Sequence, residues 1–272
     1  MRYDQIPQFA DMRLYKYRPW NEYSEKVLKD CEIYFSNPRE VNDPFDCRFP
    51  NLPAPQDDQL RKYLEIQYTN VRRRSRFSNG ILLFEAYIEA SLEQGASDPP
   101  WESIVDAARR IILDKSCFCS FSEVNNNVLM YSHYAASHTG ICFEFRFTFD
   151  YALSHVEAVR YSSAPAKVDV FDYECDEEEL VVATMYEKHE SWAYEREWRA
   201  FNLRQPRGTV RWDPRCLSGI ILGCKMPESD RQRVAAVLQE SPADPILYEA
   251  VMSSDGFNLE IRKLGMSSGA TR

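Results

Sequence analysis

Glycine is scarce in this chain, at 9 of 272 residues. So few glycines leave little material for phosphate-cradling loops. Neither a GxGxxG nor a GxxxxGKS/T pattern occurs, which counts against Rossmann and P-loop nucleotide sites. Long apolar runs are missing too. No stretch approaches the roughly 18 apolar residues of a membrane span, and no apolar segment opens the chain. Neither a membrane nor a secretory role is expected, and the expected location is cytoplasmic. Positive charge is in deficit, with 33 Lys and Arg against 42 Asp and Glu, a net charge of −9. Broad non-specific binding to nucleic acid needs the opposite balance. The local exception is Val71-Arg-Arg-Arg-Ser-Arg76, which reads either as a solvated face or as a contact for phosphate or an acidic partner.

Paired cysteines and zinc-protease histidines are also lacking. The eight cysteines are scattered, with Cys117-x-Cys119 the one close pair, and no CxxC occurs. Free buried thiols in a reducing compartment are the simplest account. HExxH is absent, and His133 and His138, five apart, do not have a helical metal-ligand spacing. No metal site is assigned.

What is present is a dense β-rich pattern with helices between. Met12 to Arg18 alternates and stops at Pro19, a strand pattern. Asn21 suits the cap of a helix to about Asp30, and Cys31 to Ser36 suits a second strand. Three helical patterns follow, from about Gln56 to Arg74, Ile81 to Glu93 and Trp101 to Asp114. Together they make a helical insertion over 56–114. Strand character resumes at Ser116 to Ser122. A short helix from Val128 and the alternating strand Ile141 to Phe147 come next. Helix Leu180 to Ser191 precedes a strand from Trp192 to Leu203. Strands at 218–223, 246–252 and 259–264 flank a helix at 228–239. The expectation is one α+β domain over 1–272: a mixed, largely antiparallel sheet interrupted by helices.

The segment Trp192-Ala-Tyr-Glu-Arg-Glu-Trp198-Arg199 carries the chemistry. As a strand it would align Glu195, Glu197 and Arg199 on one face, because strand side chains alternate. Carboxylates about 7 Å apart repel, and one pKa rises, which suits acid/base work or the steadying of a cationic transition state. The alternative is an exposed face of ion pairs.

Three other segments offer partners for that row. Arg18, beside Tyr17 at a strand end, can clamp a phosphate while the tyrosine stacks on a base; equally, Arg18 can pair structurally with Asp43 or Asp46. The loop Phe35 to Asp46, with Ser36, Asn42 and Asp43, can orient a ribose, bind a cation or cap its own turns. Ser120, Ser122, Tyr131, His133 and Tyr134 form the third group. A Cys119–His133 nucleophile pair has no activating feature beside it.

The ordered set Leu14-Tyr-Lys-Tyr-Arg18, Tyr34-Phe-Ser-Asn-Pro38, Asn42-Asp-Pro-Phe-Asp46, Cys119-Ser-Phe-Ser122, Leu129-Met-Tyr-Ser-His-Tyr-Ala135, His138-Thr-Gly-Ile-Cys-Phe-Glu-Phe145 and Tyr194-Glu-Arg-Glu-Trp-Arg199 resembles the bacterial and phage-borne DUF2971 family over roughly residues 12–225. That family name carries no activity. A second resemblance is to ADP-ribosyltransferase folds. It implies an Arg on an early strand (Arg18) for the pyrophosphate of NAD, and a middle-strand Ser (Ser120 or Ser122, with Ser36 as alternative). It further implies Glu197, helped by Glu195, against the oxocarbenium-like charge, and Tyr131 or Tyr134 stacked on nicotinamide. The middle motif here reads Ser-Phe-Ser rather than Ser-Thr-Ser, and the 56–114 insertion widens the spacing.

The function this implies is an NAD-dependent ADP-ribosyltransferase-like enzyme. It would modify a protein or nucleic acid, in phage defence or as a toxin. Two alternatives stay open: a non-catalytic module that senses a nucleotide or a phage protein, and a metal-dependent nuclease or hydrolase built on Asp43, Asp46 and Glu197.

Overall fold

The computed structural model describes residues 12–56, 58–65, 82–95, 99–146, 156–168, 171, 177–202 and 208–264. Its centre is an eight-stranded sheet in an α+β fold. In chain order the strands of that sheet are β1 (Arg13–Arg18), β3 (Cys117–Ser122), β4 (Ile141–Arg146), β5 (Val156–Ala158), β8 (Glu197–Asn202), β10 (Leu217–Leu222), β11 (Ile246–Met252) and β12 (Leu259–Lys263). Their spatial order is β12-β11-β10-β4-β1-β3-β8-β5. Every pairing is antiparallel except β10 with β11. The sheet is therefore mixed and mostly antiparallel. Two small ribbons stand beside it: β2 (Glu32–Phe35) with β9 (Gly208–Arg211), and β6 (Arg160–Ser162) with β7 (Glu187–His189).

Several helices follow their sequence signals. Helix α1 (Glu22–Lys29) starts where Asn21 accepts the amides of Tyr23 and Ser24, a side-chain N-cap. Between the β2 strand and β3 the elements among the described residues are all helical: a 3-10 turn (Pro38–Glu40), α2 (59–65), α3 (Leu82–Gln94) and α4 (Trp101–Lys115). The second half of the first predicted helix and the basic run at 71–76 lie outside the described residues. Helix α5 (Val128–Tyr134) is capped by Asn127. Helix α6 (Glu177–Met185) ends six residues earlier than periodicity suggests, and α7 (Glu228–Glu240) follows β10.

Strand alternation divides the sheet into two faces. One carries Leu14, Cys117, Cys119, Phe121, Phe143, Phe145 and Ala200, packed with α1 and α7 into a single core. On the other, Phe118 packs with the α3, α4 and α6 residues, and Tyr15, Tyr17 and Cys142 pack with Tyr131 of α5. The α5 helix is fixed to the sheet by two glycines. A Cβ on Gly140 would sit 2.3 Å from the Arg18 carbonyl oxygen, and one on Gly223 would sit 2.2 Å from the His138 carbonyl oxygen. Both obstacles are backbone, so neither can swing away. Gly140→Ala is expected to destabilise the protein by about 1–3 kcal/mol, read as a lower urea midpoint at unchanged slope.

The strand forecast for Trp192 to Leu203 needs correction. Residues Glu190–Glu195 form a 3-10 helix, and β8 begins only at Glu197. Between them Arg196 takes a left-handed conformation with φ 45°. The β-propensity of Trp192 and Tyr194 is overridden by a tertiary demand. Winding the segment back lays Trp192 over the ammonium of Lys188, 5.0 Å from its ring centre. His189 caps the 3-10 turn by accepting the Ser191 amide.

Candidate functional site

The register between β3 and β8 sets the site. Ser120 lies opposite Arg199, and Ser122 opposite Glu197. Residues directly opposite in an antiparallel pair share a face, so these four side chains, with Phe118, project to one side. The neighbouring strand β1 pairs in register with β3 at Tyr15–Ser122, with Lys16 Nζ donating across to the Ser120 carbonyl at 2.7 Å, while it pairs with β4 along its whole length. The sheet thus splits beyond Ser122. A cleft of about 400 Å³ opens there, lined among others by Tyr17, Ser36, Asn42, Asp46, His133, Tyr134, Lys188, Glu195 and Glu197.

Its floor is a buried ionic network. Arg199 is fully buried. Its Nη2 donates to both carboxylate oxygens of Asp46, at 2.8 and 2.7 Å, and to Glu197 Oε2 at 3.1 Å. Its Nε donates to Glu197 Oε1 at 2.7 Å, and its Nη1 donates to the Met185 carbonyl at 2.6 Å and faces Cys47 Sγ at 3.3 Å. Phe118 lies under the guanidinium, with its ring centre 4.4 Å away. Lys188 Nζ donates to Glu195 Oε2 at 2.7 Å and Glu197 Oε2 at 3.0 Å, and lies 3.4 Å from Asp46 Oδ2. The second oxygen of Glu195 accepts the Tyr134 hydroxyl at 2.5 Å. Three carboxylates stand against two cations, which leaves one negative charge when all are ionised.

The network pushes its two glutamates apart. Burial raises the Glu195 pKa above 4.5, against the pull of Lys188 and Tyr134. Burial acts in the same direction on Glu197, but Arg199 and Lys188 overcome it and hold that carboxyl down at about 2. For Lys188, burial opposes the charge, yet Glu197, Asp46 and Glu195 outweigh it and raise its pKa. The same holds for Arg199, where Glu197 leads the raising causes. Opposed pKa shifts in adjacent carboxylates are how one site keeps a permanent charge and a proton-exchanging group together.

The two serines divide their labour. Ser120 hydrogen-bonds Glu197 and helps to lower its pKa. Ser122 donates to the Glu195 carbonyl at 2.6 Å and accepts the Val124 amide at 3.1 Å. It therefore fixes the backbone that delivers Glu195 and does not line the cleft. Tyr17 donates its hydroxyl to the Val124 carbonyl at 2.7 Å. His133 Nδ1 stands 3.2 Å from the Tyr194 hydroxyl at the cleft wall. Ser36 contributes through backbone pairing with Phe118, and Asn42 lies at the exposed rim.

Three expectations meet a different placement. Arg18 has the strand parity of Leu14, opposite to that of Tyr15 and Tyr17, and does not line the cleft. Asp43 accepts the Phe45 amide at 2.9 Å, which is turn chemistry, and lines a second cavity on the far side of Lys188. Tyr131 is fully buried, edge-on to Tyr17 with ring centres 4.9 Å apart, and also lies outside the cleft. Glu195, Glu197 and Arg199 are buried, which sets aside the alternative of an exposed face of ion pairs. The metal-dependent reading loses its geometry in the same way. Asp46 and Glu197 are held by Arg199 and Lys188, and among the described residues no group of three or more His, Cys, Asp or Glu side chains could hold a metal ion. Cys119 belongs to the core on the opposite sheet face, where burial raises its pKa, so it does not pair with His133.

Lys188 and the Asp46–Arg199 pair are the elements that sequence reading missed. Arg199 carries a signal, being a charge at the inward parity of a β-rich segment. Lys188 carries none, since it sits where a helix-like pattern continues.

Comparison with known proteins adds one match. Residues 130–200 match the model of a family described as a protein of unknown function, DUF2971. That window holds Tyr134, Lys188, Glu195, Glu197 and Arg199, and leaves Asp46 and Ser120 outside. No curated protein and no solved structure matches the chain.

Proposed function

We propose that the cleft carries out acid/base-assisted transfer at an N-glycosidic bond of a nucleotide, with NAD as the substrate to be tried first and water, a protein or a nucleic acid as acceptor. The observation that supports this reading is the opposed behaviour of Glu195 and Glu197 within one cleft. Glu197 supplies a fixed negative charge at the floor, suited to positive charge developing on the sugar. Glu195, reached by Tyr134 and Lys188, serves as the base. As the C1′–N bond breaks, its electron pair leaves with nicotinamide. The acceptor oxygen bonds to C1′, and its proton passes to Glu195. Tyr17, His133 and Tyr134 supply aromatic surface for a planar ring. Arg18 has no part in this version, so the phosphates would face the open mouth of the cleft.

Incubating the protein with NAD, with and without bacterial lysate as acceptor, tests the proposal by chromatographic release of nicotinamide. Release is the expected result. Silence under every condition would sink the catalytic reading. A second reading has its own support, because Asp46, Glu197, Lys188 and Arg199 satisfy one another so fully that the floor is complete without a substrate. Such a cleft suits a sensor. That reading gains if a nucleotide raises the melting temperature while no nicotinamide appears.

A further inference from the structure

A second constellation lies outside the cleft, where α5 ends. Ala136, Ser137 and His138 have φ values of 47°, 53° and 73°. Three successive non-glycine residues in the left-handed region need strong restraint. It comes from the backbone: the His138 amide donates to the Tyr131 carbonyl at 3.1 Å, and the Lys225 amide donates to the His138 carbonyl at 3.0 Å. His138 is thereby pinned against the segment after β10. Its Nε2 is 3.0 Å from Ser132 Oγ, and its Nδ1 is 3.7 Å from Cys224 Sγ. The ring stacks on Tyr131 at 5.8 Å.

Two further observations single out this place. Among the described cysteines, Cys31, Cys47, Cys117, Cys119, Cys142 and Cys216 are buried, whereas Cys224 is half-buried. The Tyr131 hydroxyl is buried with no hydrogen-bond partner, and Cys224 is among the groups whose charge raises its pKa after burial itself. A spare donor thus sits within electrostatic reach of the thiol.

We propose that Cys224 is a nucleophilic thiol open to oxidation by a hydroperoxide, with His138 as its proton acceptor and Ser132 as the residue that orients the imidazole. This is the nucleophile, base and orienter arrangement that activates weak nucleophiles. His138 takes the thiol proton. The thiolate attacks one peroxide oxygen, forming S–O as O–O breaks. The departing hydroxide or alkoxide collects the proton from His138, so thiol and peroxide give sulfenic acid and water or alcohol. Burial, and then Lys225, hold the His138 pKa below 6.5, so the imidazole is neutral and able to accept at neutral pH.

The experiment treats the full chain with limiting hydrogen peroxide in the presence of a 1,3-diketone sulfenic-acid trap, and maps the adducts by peptide mass spectrometry. Mapping also separates Cys175, which lies outside the described residues. Cys224 is expected to carry the first adduct. His138→Asn, chosen because asparagine tolerates left-handed φ, is expected to slow that adduct about tenfold or more, and Ser132→Ala to slow it less. Unfolding of the first variant would reveal itself as labelling of Cys142 and Cys216, and Ser132→Ala then decides. The proposal is overturned if Cys224 reacts no faster than free N-acetylcysteine, or if neither substitution changes its rate while the fold is intact.

Discussion

Arg199→Met will cost the fold about 3–5 kcal/mol, the usual penalty for removing one partner of a buried ion pair. Against a total stability of about 5–15 kcal/mol, that is a large fraction of what holds the native state. The reason is the closure of the network. Every nitrogen of Arg199 is engaged, by Glu197, Asp46, the Met185 carbonyl and Cys47. Without the guanidinium, Asp46 and Glu197 face each other with Lys188 alone between them. Arg199→Lys will rescue only in part, because an ammonium cannot reproduce the planar fork. Urea unfolding of the two variants checks the order, and a loss under about 1 kcal/mol for Arg199→Met would show that the network is ornamental rather than structural.

The same network predicts the acid limb of stability. Glu197 is lowered from 4.5 to about 2 in the folded protein. A depressed carboxylate contributes stability that is present above its unfolded pKa and lost as pH falls through the folded value. The contribution is on the order of 3 kcal/mol, vanishing between about pH 4.5 and 2. Glu195 acts with the opposite sign. Its raised pKa gives stability that is present below 4.5 and lost as pH rises through the folded value. Glu197→Gln should therefore flatten the acid limb and lower stability at neutral pH, whereas Glu195→Gln should leave neutral-pH stability level or slightly higher. Urea midpoints between pH 2 and pH 7 separate the two.

Much of the architecture was legible from local pattern. Asn21 caps the helix that its position suggests, and the Ile141 strand alternates between two cores as its sequence does. These features answer to short-range rules. The segment before Glu197 departs from its strand pattern because a buried cation, which period-two alternation does not register, decides its fold. Trp192 covers Lys188, and Lys188 exists for three carboxylates drawn from the 43–46 turn, the 3-10 segment and β8. Glu195 and Glu197 are near Lys188 in sequence, but Asp46 comes from a distant part of the chain, and no spacing within one segment encodes that third partner. Arg18, whose residue type suggests a phosphate clamp, shares the strand parity of Leu14 and does not line the cleft, whereas Lys16, one turn of the pleat earlier at the same parity, does.

Glu195→Gln will reduce any nicotinamide release by about a hundredfold or more, the usual contribution of a general acid or base, with little loss of fold. Glutamine keeps the acceptor oxygen for Lys188 or Tyr134 but can no longer take a proton. The ADP-ribosyltransferase resemblance points to Glu197 as the catalytic group helped by Glu195; the proposed mechanism exchanges the two roles. Both Glu197 oxygens are bound by cations at 2.7 to 3.1 Å, and its pKa of about 2 leaves it no proton to exchange near neutrality. Glu195 has one cation, one phenol and a raised pKa. Tyr134→Phe, which removes the phenol hydrogen bond, should lower the turnover number more than it changes KM, because that bond tunes the base rather than binds substrate. The deciding comparison is between the two glutamine variants at equal folded fraction. If Glu197→Gln abolishes release while Glu195→Gln retains it, the assignment of base and fixed charge is wrong, and the network is working on the substrate through its floor.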